Sequence, residues 1–224
     1  MSHPEASRLD RRKARTRAAL IAAGQRILAD RGTAEVAVQD ITDEADVGLG
    51  SFYNHFTTKA ELFEAAVSDL LDAFAAGIDE VRVGIDDPAE LVAVGIRLTC
   101  RLASTRPAVA RVLVLSGPDF LIADRGLAPL ALRDIGQGIA SGRFAVARPP
   151  LALALVGGSV LAFLQIRLTD DRSTDGLTDS DADDLAATVL TTLGVPPDEA
   201  ADIAHRTLPE LAAGPGTAHQ GELP

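Results

Sequence analysis

Apolar residues recur three and four positions apart along most of the chain, and this spacing limits the folds that the chain can adopt. Alanine and leucine are abundant, whereas runs that alternate β-branched and polar residues are scarce. Because a helix brings positions three and four apart onto one face, the pattern predicts an all-α fold. The 224 residues, of which 47% are hydrophobic, suffice for one large domain or two smaller ones.

The same spacing predicts where the helices lie. They cover residues 11–30, 38–45, 49–56, 58–81, 88–105, 107–115, 119–141, 149–168 and 179–193, with a last short helix within 194–211. Several begin at a proline, which suits a first helical turn because that turn needs no backbone donor. Thr58 followed by Glu61 has the spacing of a capping box, so the fourth helix is predicted to start there.

Charge is distributed unevenly along the chain. The net charge is −11, which argues against indiscriminate binding to nucleic acid. Residues 1–17 nevertheless hold six basic residues against two acidic ones, a local charge of +4. This stretch is either a phosphate-binding arm or only a solvated tail. We expect a disordered basic arm over residues 1–10, an acidic surface loop over 170–184 and a disordered tail over 212–224.

Cysteine content and the most apolar window indicate the cellular compartment. The single cysteine, Cys100, excludes a disulfide framework and a cysteine-based zinc cluster, which suits a reducing cytoplasm. No apolar stretch follows the basic N-terminus, so we expect no signal sequence. The window Leu151 to Leu164 is shorter than the roughly 18 residues that a spanning helix needs. It predicts a buried or interface helix in a cytoplasmic protein without a membrane segment.

Two short predicted helices, residues 38–45 and 49–56, are joined by a tight turn that contains a glycine. With a longer helix on either side, this is the arrangement of a helix-turn-helix unit. On a helical wheel, the apolar side of the second helix consists of Leu49, Phe52 and Phe56. Its polar side consists of Gly50, Ser51, Asn54 and His55, with Tyr53 on the flank. Such short donors and acceptors can reach base edges or phosphates in a DNA groove.

The region around this unit resembles the DNA-binding domain of the TetR family of transcriptional regulators. The similarity covers about residues 12–65 and rests on the stretch VQDITDEADVGLGSFYNHFTTKAELFEAAV, with its Gly-x-x-Tyr-x-His-Phe core and a lysine three residues on. The resemblance implies that the recognition helix in the major groove carries Gly50, Ser51, Tyr53, Asn54 and His55. It also implies that Lys59 holds a phosphate at the start of the fourth helix.

The candidate DNA-binding residues come from the basic first helix, the helix-turn-helix unit and the start of the fourth helix. They are Arg12, Arg15, Arg17, Val38, Gly48, Leu49, Gly50, Ser51, Tyr53, Asn54, His55 and Lys59. Three positions depart from the family pattern. Leu49 replaces a frequent lysine and either joins the core or touches a thymine methyl, and Asn54 replaces a frequent second tyrosine. Ala37 replaces a Ser or Thr that caps the second helix, so we expect a smaller phosphate contribution there.

For the second half, the resemblance implies a helical domain that encloses a ligand cavity and dimerises through its last two long helices. The expected division is a helix-turn-helix domain over residues 11–57 and a ligand-binding and dimerisation domain over 58–211, with a long linking helix over 58–81. The helix over 149–168 fits the dimer role because Gly157, Gly158 and Ser159 permit close packing, although burial within one chain would also explain it.

Candidate ligand contacts are polar or aromatic groups in otherwise apolar helices. They are Arg97, Cys100, Arg101, Gln137, Phe163, Gln165 and Arg167. The three arginines could equally form surface ion pairs, and a buried inert thiol is the simplest interpretation of Cys100.

The combined prediction is a ligand-responsive repressor that binds a palindromic operator in double-stranded DNA as a homodimer. A small-molecule effector would release it by changing the spacing of the two recognition helices. A helical protein-interaction adaptor that does not bind DNA is the alternative. Because nucleophile-elbow and dinucleotide-binding patterns are absent, we expect neither enzyme activity nor a cofactor. His3, His205 and His219 lie too far apart in sequence to predict a metal site.

Overall fold

The computed structural model describes residues 8–31, 35–169 and 176–211. These ranges contain helices and no strand, which confirms the all-α prediction. The helices are α1 (Arg8–Arg31), α2 (Val38–Glu44), α3 (Leu49–Tyr53), α4 (Lys59–Val81), α5 (Pro88–Cys100), α6 (Leu102–Thr105), α7 (Pro107–Ser116), α8 (Leu127–Ala140), α9 (Pro149–Thr169), α10 (Asp179–Thr192) and α11 (Pro197–Ala204). A 3-10 turn, Gly117–Leu121, follows α7. Most of the predicted N-terminal arm, part of the acidic loop and the C-terminal tail lie outside the described residues.

The first three helices pack against the N-terminal half of α4 around a small core of their own. Its buried members are Leu20, Ile21, Ala23, Ile27, Leu28, Val36, Ile41, Phe52, Phe56, Leu62, Phe63, Ala66 and Val112. A methyl added to Gly24 of α1 would lie 3.2 Å from Leu62 Cδ2 and 3.3 Å from Ala66 Cβ, so glycine lets α1 approach α4 closely. Gln25 Nε2 also donates to the Ala66 carbonyl at 3.1 Å.

A second, larger core lies among α5, α8, α9, α10, α11 and the C-terminal half of α4. Two helices contribute to both cores. In α4, Leu62 belongs to the first core and Ile78 to the second. In α7, Val112 belongs to the first core, whereas Ala110 and Leu113 belong to the second. The two cores are therefore connected through α4 and α7.

Several helix ends differ from those predicted. The third helix ends at Tyr53 rather than at residue 56. The helix predicted over 88–105 is divided at Arg101 into α5 and α6. The helix predicted from residue 119 begins only at Leu127, because Gly126 before it has a φ of +81° that a continuous helix cannot contain.

The N-terminal cap of α4 differs from a complete capping box. Thr58 Oγ1 accepts from the Glu61 N–H at 3.1 Å, as the spacing predicted. The Glu61 carboxylate, however, accepts from the N–H of Thr57 at 2.7 Å instead of returning to Thr58. The reciprocal bond is thus displaced by one residue, and α4 still begins one residue after its cap.

Helix α9 has 21 residues and is longer than the apolar window Leu151 to Leu164 within it. By length and composition alone it is long and apolar enough to cross a membrane. In the fold, Leu153, Val156 and Leu164 are buried in the second core, and the helix packs against α7 and α8. The predicted role as a core or interface helix therefore accounts for its apolar character.

Candidate nucleic-acid interface and ligand cavity

The turn between α2 and α3 orients the second helix of the helix-turn-helix unit. Its left-handed residue is Asp46, with a φ of 52°, whereas Gly48 is extended at −69° and serves as the N-cap of α3. Val47 closes the turn by donating its N–H to the Thr42 carbonyl at 3.0 Å. Ile41 of α2 and Phe52 of α3 are fully buried in the same core. The orientation of α3 is therefore set by packing as well as by the turn.

Two large side chains of α3 face solvent. Tyr53 is 60% exposed and Leu49 is 45% exposed. Leu49 therefore does not join the core, which excludes the first of the two roles considered for it. The Tyr53 ring packs edge-on against buried Phe52, with centroids 5.2 Å apart and planes at 81°. This contact fixes the ring and leaves the rest of Tyr53 free to meet a partner.

The remaining predicted recognition residues surround this face. A methyl added to Gly48 or Gly50 would meet nothing within 4 Å, so neither glycine is needed for packing inside the chain. Ser51 is half-buried on α3. Exposed Asn54 caps the C-terminus of the helix, and half-buried His55 follows it, so both lie in the turn after α3 rather than on the helix.

Basic residues extend the exposed surface along the N-terminal half of α1. Arg12, Arg15 and Arg17 are all exposed. The guanidinium carbon of Arg17 lies 5.1 Å from the centroid of the Phe56 ring, a cation–π contact that holds this arginine beside the end of α3. Helical periodicity cannot predict this contact, because the two residues belong to separate elements. The basic part of α1 and the recognition region thus lie next to each other.

Lys59 occupies the first turn of α4. Its Nζ donates to the Val36 carbonyl at 3.2 Å and lies 4.0 Å from a carboxylate oxygen of Glu35. These contacts hold the ammonium group between the start of α4 and the segment before α2. Val38, at the start of α2, is half-buried there. Lys59 Nζ therefore links the start of α4 to the segment that leads into α2.

The acidic side chains of α2 are partly neutralised by α1. Arg26 Nε pairs with Glu44 at 2.5 Å, and an Arg31 nitrogen lies 4.0 Å from Asp40. Ala37, the N-cap, offers no side-chain acceptor, but its own N–H donates to Asp40 Oδ2 at 3.0 Å. As the sequence predicted, α2 has no capping hydroxyl at its N-cap. The Asp40 carboxylate bonds the N–H of Ala37, but the side chain of Ala37 bonds no N–H of the first turn.

A separate cavity of about 60 Å³ lies in the second core. Its wall is formed by α4, α5, α8, α9 and the 3-10 turn, which contributes Leu121. Aliphatic side chains make up most of this wall, among them Ile96, Leu127 and Val160. A concave apolar space between helices is the usual form of a small-molecule site.

One corner of the cavity is polar. Arg82 and Asp134, which are 4% and 1% exposed, both line it and form an ion pair with 2.6 Å between Nη1 and Oδ2. Arg82 Nη1 also donates to the Leu91 carbonyl at 3.1 Å. Its Nε is buried and has no hydrogen-bond partner in the described part of the chain. This donor is a candidate for contact with a ligand.

The ion pair continues outward to solvent. Arg133 donates to Asp134 Oδ1 at 3.1 Å and to Asp79 Oδ1 at 2.7 Å. Hydrogen bonds from Arg133, and to a lesser extent from Arg82, lower the pKa of Asp79 against the opposing effect of burial. Beyond this network lies an open polar cleft of about 420 Å³, lined also by Gln137. Arg82 and Leu91 line both spaces, so the cavity and the cleft are adjacent.

The structure places the predicted ligand contacts away from the cavity. None of the seven lines it, and of these only Gln137 lines the neighbouring cleft. Arg97 and Arg101 pair with Asp183 of α10 at 2.6 and 2.8 Å, and Arg167 pairs with Asp179 at 3.1 Å. All three arginines therefore form ion pairs, which was the alternative to ligand contact considered for them. Arg82 and Asp134, which do line the cavity, were not among the predicted residues, because Arg82 follows the end of the fourth helix beside other charged residues.

Cys100 is fully buried in the second core. Burial raises the pKa of its thiol to about 12, against the smaller, opposite effect of Arg101. A thiol with such a pKa is neither a nucleophile nor a metal ligand near neutral pH. Within the described residues, no group of three or more His, Cys, Asp and Glu side chains could hold a metal ion.

An apolar stripe remains uncovered along α9. Leu151 and Ile166 are 60% and 49% exposed, and Ala154, Gly158 and Ala162 between them are also exposed. A methyl added to Gly158 would meet nothing within 4 Å, so this surface is open. The adjacent α10 exposes mainly small polar residues, among them Ser180 and Thr188. Small residues on exposed helices allow two helices to approach closely.

Two family models match these regions. The model described as "Bacterial regulatory proteins, tetR family" matches residues 20–66. The model described as "Tetracyclin repressor-like, C-terminal domain" matches residues 87–206, which is more than half of the chain. The first match contains the helix-turn-helix unit, and the second contains most of the cavity wall and all of α9.

Solved and curated proteins show the same similarity. The crystal structure of RolR in complex with the ligand resorcinol is 32% identical, covers 90% of this chain and 99% of RolR, and has a TM-score of 0.74. The HTH-type transcriptional repressor DhaR of Mycobacterium sp. (strain GP1) is 37% identical over 68 residues, 29% of this chain and 34% of DhaR. The HTH-type transcriptional regulator EthR of Mycolicibacterium smegmatis is 28% identical over 107 residues, 46% of this chain and 49% of EthR.

The matched regions span half or less of these two curated relatives, whereas the similarity to RolR extends over nearly the whole of that protein. The helix-turn-helix geometry, both family models and the RolR similarity agree with one another. The chain belongs to the TetR family of bacterial transcriptional regulators.

Proposed function

We propose that the chain is a cytoplasmic transcriptional repressor that binds a palindromic operator as a homodimer and leaves it when a small molecule binds. The observation that carries the proposal is the exposed face of α3, with Leu49 and Tyr53 outward and Phe52 buried beneath them. A rigid helix that presents aromatic and short polar groups to solvent beside a basic helix is suited to a major groove.

In this proposal most of the predicted DNA-binding residues have one of two roles. Arg12, Arg15, Arg17 and Lys59 contact phosphates and set the position of the unit on the duplex. The α3 face and the turn after it contact base edges, with exposed Leu49 against a thymine methyl. Because α2 carries acidic side chains and no capping hydroxyl, most phosphate binding comes from α1 and from the start of α4.

Selection of genomic fragments by the full-length protein at physiological salt tests this function. We expect recovery of a palindrome whose half-sites are centred about one helical turn apart, roughly 34–36 Å. A variant with Tyr53→Ala should lose enrichment of that palindrome, whereas exposed Val83→Ala, far from α3, should retain it. Equal enrichment of the palindrome by both variants would remove Tyr53 from the DNA interface, and no enrichment by the wild-type protein would favour the adaptor alternative, which needs no DNA contact. The family relatives, named as transcriptional repressors and regulators, favour DNA binding over that alternative.

The homodimer is supported by the uncovered stripe on α9. Two copies of the stripe facing each other would bury Leu151 and Ile166, and the small residues between them would let the helix axes approach. A single helix-turn-helix unit contacts one half-site, so reading both halves of a palindrome requires a second copy.

Sedimentation of two matched variants tests the dimer. Ala162→Glu places a charge in the centre of the stripe, whereas Ala140→Glu makes the same change at an exposed position at the end of α8. We expect the first variant to sediment as a monomer with lost operator affinity and the second to remain a dimer. If both variants remain dimers, α9 does not form the interface.

The effector is proposed to bind in the cavity of the second core. The presence of the cavity supports this proposal. RolR supports it as well, because its similarity to this chain extends over nearly the whole of RolR and its crystal structure contains the ligand resorcinol. The cavity contacts α4 through Ile78, and the same helix reaches the first core through Leu62. An effector that displaces the C-terminal half of α4 would therefore change how the recognition helices of a dimer are spaced.

A further inference from the structure

The cavity combines three properties that together restrict what the effector can be. Its volume is small, its wall is almost entirely aliphatic, and its single polar corner is balanced in charge. If the cavity has the effector role proposed above, these properties specify the class of molecule that fits it.

Size is limited by the volume of about 60 Å³. A cavity of roughly 150 Å³ holds benzene, so the present space must widen to admit even one ring. Part of its wall is Leu121, on a short 3-10 turn that is followed by left-handed Gly126. A short turn between glycines can move more easily than the flanking helices, but the other walls are packed helices. A molecule larger than a single ring would have to displace those helices.

Charge is limited by the polar corner. Arg82, Arg133, Asp79 and Asp134 carry two positive and two negative charges and are joined by direct ion pairs. An anionic or cationic ligand would add an uncompensated charge to a buried site, which is costly. The corner therefore favours a neutral molecule.

Hydrogen bonding is limited by the same residues. Arg82 Nε is a buried donor without a partner in the described part of the chain. Asp134 Oδ2 accepts a hydrogen bond from Arg82 Nη1, and Asp134 Oδ1 accepts one from Arg133 Nε. Each of these carboxylate oxygens can accept a further hydrogen bond. A hydroxyl group can accept from Arg82 and donate to Asp134 at once. An ether or a carbonyl could satisfy only the first partner.

We infer that the effector is a neutral hydroxyl compound of about one ring, with its hydroxyl at Arg82 and Asp134 and its apolar body among the aliphatic side chains of the cavity. The hydroxyl fixes orientation and selectivity, whereas the apolar body supplies most of the affinity.

Three fluorinated probes of nearly equal size test this inference: 4-fluorophenol, fluorobenzene and 4-fluorobenzoate. Their ¹⁹F resonances are titrated with the full-length protein, which itself contains no fluorine. Because a hydrogen bond to a charged group stabilises more than a neutral one, we expect 4-fluorophenol to bind about tenfold or more tightly than fluorobenzene. The benzoate should bind most weakly. Tightest binding by the benzoate would overturn the inference.

A double variant separates the polar corner from the cavity as a whole. Arg82→Met together with Asp134→Leu removes one charge of each sign and replaces a buried ion pair with apolar groups of similar size, a change that proteins often tolerate. Far-UV circular dichroism checks that it folds. We expect fluorobenzene to bind the double variant at least as tightly as the wild type, and the preference for 4-fluorophenol to fall to about twofold or less. A preference that survives the double change would overturn the inference.

Filling the cavity provides the control for location. Ala131→Leu adds three carbons to a residue of the cavity wall, whereas Ala140→Leu adds them at an exposed position on the same helix. The first should weaken 4-fluorophenol binding at least tenfold, and the second should leave it unchanged. Equal binding by both variants would place the probe elsewhere and overturn the inference. Operator binding by the same preparations is measured without probe, so failure of this inference is distinguished from failure of the proposed DNA-binding function.

Discussion

Two glycines of α8, two residues apart, should respond in opposite directions to the same change. A methyl added to Gly138 would lie less than 3.0 Å from three ring atoms of buried Phe144, among them Cγ at 2.9 Å. A methyl added to Gly136 would meet nothing within 4 Å. Both residues lie inside the helix, so both alanine variants gain the same helix propensity.

The magnitudes follow from these contacts. Alanine in place of glycine inside a helix stabilises it by about 0.5–1 kcal/mol, which is the expected effect of Gly136→Ala on the free energy of unfolding. Overpacking a core costs about 1–3 kcal/mol. The upper part of that range applies to Gly138→Ala, because the Phe144 N–H donates to the Gly138 carbonyl at 3.0 Å and holds the ring in place. The net expectation is a loss of about 1–2 kcal/mol.

Thermal unfolding followed by far-UV circular dichroism, at one fixed protein concentration, measures the difference. A gap of about 2 kcal/mol between the variants corresponds to roughly 4–8 °C in Tm for a chain of this length. The Gly136 variant should melt above the wild type and the Gly138 variant below it. If both variants shift Tm in the same direction, the packing of Phe144 on α8 is not as described.

Three further predictions concern DNA contact, pH and the thiol. Lys59→Ala should weaken binding to all DNA sequences about equally and reduce the salt dependence of binding by about one counterion. Asn54→Ala should instead relax specificity at one base position. Equal effects of both variants at every base position would contradict these roles. Burial tends to raise the pKa of Asp87, but hydrogen bonds from Arg143 and from a backbone N–H outweigh it and lower that pKa. Its stabilising contribution is therefore present above the ordinary value of 3.8 and is lost as pH falls through the lower folded-state pKa, so Asp87→Asn should flatten the acid end of a stability–pH curve. Burial raises the pKa of Cys100 to about 12. Iodoacetamide at neutral pH should therefore leave the native protein unmodified and label Cys100 only after unfolding. Labelling of the native protein at the rate of a free thiol would refute the burial of Cys100.

Local patterns predicted the helix-turn-helix unit well, because its geometry is decided within a few residues. Phe52 and Phe56 are buried, as their positions on one side of a wheel predicted, and α2 begins at Val38 as expected. Leu49 shares their arc yet is 45% exposed, so its position on the wheel did not determine its burial. A wheel gives direction around one helix but not the extent of the neighbouring elements.

The cavity could not be predicted in the same way. Its wall comes from four helices and a 3-10 turn far apart in sequence, so no local spacing marks the residues that line it. Arg97 and Arg82 are both buried arginines of the second core, yet one pairs with Asp183 of α10 and the other lines the cavity with Asp134. Only the positions of their acidic partners in the fold distinguish them.

Helix α7 restricts how the two halves of the chain can be separated. It follows α4 and α5 in sequence, yet it supplies Val112 to the core beneath the recognition helix. A fragment that stops at Val81 would uncover the side of α1 that α7 packs against and expose apolar surface prone to aggregation. If α1 to α4 were joined to the second half of a relative, that relative would need a complementary side chain at the position equivalent to Val112. Recombination between relatives is therefore constrained to exchange α7 together with the first four helices.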